Sequence, residues 1–114
     1  MCDQTPVFRN IKDDGPLNRY VKRDDVVVEH EALKKLKHKD EKALEWFIDR
    51  YAAYVNTIIY NIIGLSVSAA DIEEVSSDVF FTLWVNAKNI SPGKVKAYLG
   101  GVARNKAKEY TRKI

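Results

Sequence analysis

The chain has 114 residues, 46% of them hydrophobic, which suits one domain with a single modest core. Its lone cysteine, Cys2, excludes an intrachain disulfide, and the start Met-Cys-Asp-Gln lacks the basic-then-apolar order of a signal peptide. The longest nearly uncharged stretch, Tyr51 to Ala70, is interrupted by Asn56, Thr57, Asn61 and Gly64 and is no membrane span, so a cytoplasmic protein with no membrane partner is expected.

The net charge of +3 hides an uneven distribution. From Met1 to Gly64 eleven basic residues balance eleven acidic ones. Leu65 to Asn86 holds Asp71, Glu73, Glu74 and Asp78 and no base, whereas Lys94 to Ile114 holds Lys94, Lys96, Arg104, Lys106, Lys108, Arg112 and Lys113 against Glu109 alone. One helix-sized segment is therefore acidic and the next strongly basic.

Residues 1–28, with Pro6, Gly15, Pro16 and dense charge, show no sustained period and read as a partly irregular extension. Val26-Val27-Val28 suits either a short strand or the start of a helix. Ala32, Leu33 and Leu36 recur at helical steps and predict a short helix over Glu29 to Lys37. Asp40 is an N-cap for a long helix whose stripe is Ala43, Leu44, Phe47, Ile48, Tyr51, Ala52, Val55, Ile58, Ile59 and Ile62, closed by Gly64.

Ser68-Ala69-Ala70-Asp71 has the form of a capping box. It opens a second long helix, to about Lys88, with the stripe Ile72, Val75, Val79, Phe80, Leu83, Trp84 and Ala87. Asn89 to Gly93 reads as a loop, with Ser91 able to cap and Pro92 suited to the first turn of a third long helix. That helix carries Val95, Tyr98, Leu99, Val102, Ala103, Ala107 and Tyr110 inward. Its Gly100-Gly101 pair costs about 1 kcal/mol per glycine relative to alanine and marks a bend or a close helix contact. The fold class is all-α: a small helical bundle of three long helices plus a short N-terminal helix, occupying residues 29–114.

Catalytic chemistry has thin support. His30 and His38 lie on a lysine-rich helix without metal-ligand spacing, Cys2 has no partner base, and the glycine pair lacks the lysine and hydroxyl of a phosphate loop. No enzyme, metal or cofactor is expected. Asp71, Glu74 and Asp78, spaced by three and four, share one helix edge. A solvated surface accounts for them, as does a protein-binding face. The basic helix with Tyr98 and Tyr110 has the charge and stacking groups of a nucleic-acid surface, although both tyrosines also fit the core stripe.

Three segments, in order, carry a resemblance. Asp71-Ile72-Glu73-Glu74-Val75-Ser76-Ser77-Asp78-Val79-Phe80-Phe81-Thr82-Leu83-Trp84 and Ala97-Tyr98-Leu99-Gly100-Gly101-Val102-Ala103-Arg104-Asn105 are the most specific, and Glu41 to Tyr51 is a weaker third. Together, Asp40 to Ile114 resembles region 2 of bacterial sigma factors, closest to the extracytoplasmic-function class.

The resemblance implies binding to core RNA polymerase through the beta-prime clamp helices, with Asp71, Glu74, Ser77 and Asp78 as contacts. It also implies capture of the non-template strand of the minus-ten promoter element, with Asn89, Ile90, Lys94, Lys96, Tyr98, Arg104, Asn105, Lys108 and Arg112 as the DNA-binding set. An anti-sigma factor is a further partner that many members have. Ser77 and Asp78 stand where the family often has glutamine and glutamate, and the glycine pair stands where it often has larger residues. The segment that reads the minus-thirty-five element has no counterpart, so a fragment of a longer protein is expected. The competing expectation is a sigma-like interaction module that binds protein through the acidic face and binds no DNA.

Overall fold

The structure, a computed structural model, describes residues 23–64 and 68–113, with side chains from 26 through 112. Four helices follow in chain order: α1 Arg23–Lys37, α2 Glu41–Ile63, α3 Ala69–Asn86 and α4 Val95–Lys113, with a 3₁₀ turn, Ala87–Asn89, directly after α3. The all-α bundle expected from the periodicity is what the described residues form. Expectations for the segment before Arg23, Cys2 included, lie outside the described residues.

The first helix begins at Arg23 rather than Glu29, and Val26, Val27 and Val28 are helical. They are 44%, 53% and 46% exposed, so their side chains contribute little packing. Helix over strand follows from the buried Ala32, Leu33 and Leu36 behind them, since the propensity penalty of valine is only a few tenths of a kcal/mol. The helix closes by a Schellman arrangement: Asp40 N–H donates to the Lys35 carbonyl at 3.0 Å and Lys39 N–H to that of Leu36 at 2.9 Å. Lys39 takes the left-handed position, φ 64°, which glycine usually fills.

Asp40 caps α2 as expected, its carboxylate accepting from Lys42 N–H at 2.9 Å, and Gly64, at φ 83°, ends the helix. α2 is the central element, touching α1, α3 and α4. Phe47, Tyr51, Val55, Ile59 and Ile63 are buried along it. They meet Val75, Val79, Phe80 and Leu83 of α3 and Val95, Leu99, Ala103 and Ala107 of α4 in one core. Each large member contributes about 1.5–3 kcal/mol by burial, before the entropic cost of ordering it.

Two side chains dock α1 on α2. Tyr51 donates its hydroxyl proton to Glu29 Oε1 at 2.6 Å, and the Arg50 Nε lies 3.2 Å from the same oxygen. Burial first, then the Glu29 carboxylate, pushes the Tyr51 hydroxyl up to about 12.

The capping box of α3 is complete: Ser68 Oγ accepts from Asp71 N–H at 3.2 Å and Asp71 Oδ2 accepts from Ser68 N–H at 3.0 Å. α4 starts at Val95, not at Pro92, because Gly93 adopts φ 85° and turns the chain before the helix. The helix then runs through Gly100-Gly101 unbroken. Gly100 is a close contact with α2, for a Cβ there would lie 2.5 Å from the Tyr54 hydroxyl.

Candidate nucleic-acid and protein interfaces

Successive helical steps set the outward face of α3. Glu74, Ser77 and Asp78 are exposed, and the same side carries two large apolar residues, Phe81 at 65% exposure and Val85 at 52%. Sequence reasoning missed both. Their signal was available, because Phe81 and Val85 are bulky apolar residues that fall off the core stripe, and such residues on an exposed face point to a docking surface.

Beside this face, an open groove of about 550 Å³ runs between α2 and α3. Leu44, Ile48, Phe80, Phe81 and Trp84 supply its apolar lining, and Glu41 and Glu45 lie on the α2 side. Trp84, expected mainly in the core, is half-buried and borders the groove. The Lys39 ammonium sits 4.9 Å from the Trp84 ring centroid and donates to the Trp84 carbonyl. A cation at that carbonyl suits the negative end of α3.

Asp71 is engaged differently from Glu74 and Asp78. Its Oδ1 accepts from the Tyr110 hydroxyl at 2.6 Å, and its Oδ2 accepts from Ser68 N–H and Ser68 Oγ, each at 3.0 Å. The Tyr110 bond, followed by those from Ser68, holds the carboxyl below the usual aspartate range. Reciprocally, the Asp71 carboxylate pushes the Tyr110 hydroxyl up to about 12.

Lys94, immediately before α4, and Arg104, Asn105, Lys108 and Arg112 on it are exposed. Helical steps bring them to one face along with Gly101, where a Cβ would meet nothing within 4 Å. Lys96 is exposed at the edge toward α2, its ammonium 5.0 Å from the Tyr54 ring. Lys106 is turned to the other edge and lines a cleft with Glu74, Asp78, Glu109 and Tyr110. Tyr98 is half-buried and packed on the core.

The loop divides. Asn89 and Ser91 to Lys94 are exposed, but Ile90 is only 4% exposed and belongs to the core. Ile90, expected at the DNA surface, is thus placed in the core by this structure: the 3₁₀ turn folds its side chain inward, and hydrophobic burial holds it there.

Among the described residues, no group of three or more His, Cys, Asp or Glu is arranged to hold a metal ion. None of their helices is long and apolar enough to cross a membrane.

Residues 47–114, which contain the exposed faces of both α3 and α4, match the sigma-70 region 2 family. The chain belongs to that family. Sigma-70 region 2 is the sigma-factor domain known for binding core RNA polymerase and recognising the minus-ten element, a DNA-binding role in transcription and not a known enzyme family. No curated protein and no solved structure matches the chain.

Proposed function

We propose that residues 29–114 act as the region 2 domain of an extracytoplasmic-function-type sigma factor, holding core polymerase with α3 and the minus-ten DNA with α4. The observation that carries the reading is the juxtaposition of two unlike faces on adjacent helices in a sigma-70 region 2 chain.

Glu74, Ser77 and Asp78, with Phe81 and Val85, form the contact to the beta-prime clamp helices. Phe81 supplies the desolvated anchor such an interface needs, and the acids supply orientation. On the DNA side, Lys94, Arg104, Lys108 and Arg112 hold phosphates of the non-template strand. Asn89, the exposed loop and Asn105 offer hydrogen bonds to a base that has left the stack. Unstacking costs a few kcal/mol, which those groups offset. Lys96 and the half-buried Tyr98 border this surface. An anti-sigma partner would compete for the α3 face.

Two titrations test the proposal: the chain against isolated clamp helices, and against single-stranded promoter DNA over a range of salt. Each phosphate contact on a single strand contributes about −0.7 to the slope of log affinity against log salt, so four contacts give about −3. A slope near zero would remove α4 as a DNA surface, and no binding to the clamp helices at low salt would remove α3 as a docking face.

A further inference from the structure

Asp71 belongs by spacing to the acidic edge of α3, yet three donors already converge on its carboxylate: the hydroxyl of Tyr110 and the amide and hydroxyl of Ser68. The Tyr110 bond, at 2.6 Å, joins the first turn of α3 to the last turns of α4.

The packing of α4 shows why that bond matters. In its first half α4 is anchored by Val95 and Leu99, both fully buried. From Ala103 onward the fully buried residues are Ala103 and Ala107, which offer little apolar surface. Beyond Ala107 the helix packs on the core through Tyr110, half-buried, whose hydroxyl ends on Asp71.

From Ala103 to Arg112 the helix extends about 13 Å. A tilt of about 10° over that length moves the Arg112 backbone by about 2 Å, enough to break a phosphate contact made at hydrogen-bond distance. Lys108 and Arg112 therefore depend for their placement on a bond whose acceptor lies on the other helix.

We propose that Asp71 and Tyr110 are a positioning pair that fixes the nucleic-acid face of α4 against the docking face of α3, and that Asp71 serves the domain through Tyr110 rather than by touching polymerase. The cleft beside the pair, lined by Glu74, Asp78, Lys106 and Glu109, is where the two faces meet. The inference rests on the function proposed above for α4, and it changes the role of one residue from contact to support.

The test uses the full chain and its Tyr110→Phe and Asp71→Asn variants. Three readouts are taken: amide exchange, affinity for a fluorescein-labelled single-stranded DNA of mixed sequence, and affinity for isolated clamp helices. Tyr110→Phe deletes one oxygen and leaves the capping box intact. Exchange should rise at Lys108 to Arg112 and stay unchanged in α2, and DNA affinity should fall roughly tenfold, as for loss of one charge-assisted bond. Clamp-helix affinity should stay within about twofold of the parent for both variants. In the Tyr110→Phe background Arg112→Ala should add little further loss, while Lys94→Ala, at the other end of α4, should keep its full effect.

Unchanged exchange, or unchanged DNA affinity in Tyr110→Phe, overturns the proposal. So does a loss of clamp binding in Asp71→Asn that Tyr110→Phe does not share, since Asp71 would then be a contact. A parent chain that binds no single-stranded DNA sinks the proposed function and this inference together; a parent that binds beside an equally tight Tyr110→Phe sinks the inference alone.

Discussion

α3 and α4 are neighbours of similar length that expose opposite chemistries. The outward face of α3 mixes Glu74 and Asp78 with Phe81 and Val85, two large apolar residues more than half exposed. That of α4, with Lys94 just before it, carries Arg104, Asn105, Lys108 and Arg112 and, among the described residues, no large apolar one. A face with bulky apolar side chains gains by being dried against a protein, whereas a cationic face gains by neutralising phosphates that stay hydrated. On that difference rests the assignment proposed above, protein on α3 and nucleic acid on α4.

The largest perturbation should erase the comparison. Leu99 is fully buried where α4 meets the core, and Leu99→Ala should destabilise the chain by about 2–5 kcal/mol. Both binding activities should then be lost together with the cooperative transition in thermal circular dichroism.

Phe81→Ala should sharpen it instead. With 65% of Phe81 exposed, folding stability should change by under about 0.5 kcal/mol, while clamp-helix affinity falls at least about tenfold and DNA affinity holds. Denaturant melts and paired titrations check both halves.

These outcomes bear on what the sequence disclosed. The bounds of α2 were legible because Asp40 and Gly64 mark its two ends with opposite backbone demands, and Ser68 with Asp71 marked the start of α3. The start of α1 was not, since three successive valines carry no period. Nor was the burial of Ile90, because whether a loop residue turns inward depends on the helices it folds under. The acidic and basic faces were read from charge alone. The partner of Asp71 lies 39 residues away, beyond any helical spacing rule, and only the packing of α4 on α3 brings Tyr110 to it.

pH offers a subtler separation. Tyr51 and Tyr110 are both raised to about 12 from the ordinary tyrosine value near 10. Their bonds thus contribute full stability below pH of about 10, and that contribution is lost as pH rises through about 12. Asp71 is depressed, so its contribution is present above the ordinary aspartate range and is lost as pH falls through its lowered value. Tyr110→Phe should reduce the alkaline loss of order in α4 but not the loosening of α1, which follows Tyr51. Amide exchange at graded pH would show the two helices responding separately.

The smallest effects concern the glycine pair. Gly101→Ala should stabilise the chain by about 0.5–1 kcal/mol, because its Cβ would enter open space. Gly100→Ala should not, since the Tyr54 hydroxyl must first move. If both alanines proved equally favourable in thermal melts, the close approach of α4 to α2 would be wrong.

The measurement that bears most directly on the two-face account is a crossed titration. A Glu74→Ala, Asp78→Ala variant and an Arg104→Ala, Arg112→Ala variant are each titrated with clamp helices and with single-stranded promoter DNA. The account predicts that the first variant loses clamp-helix binding and keeps DNA, and that the second loses DNA and keeps the clamp helices. If either pair of substitutions lowered both affinities equally while the helical content stayed intact, the assignment of one partner to each helix would be contradicted.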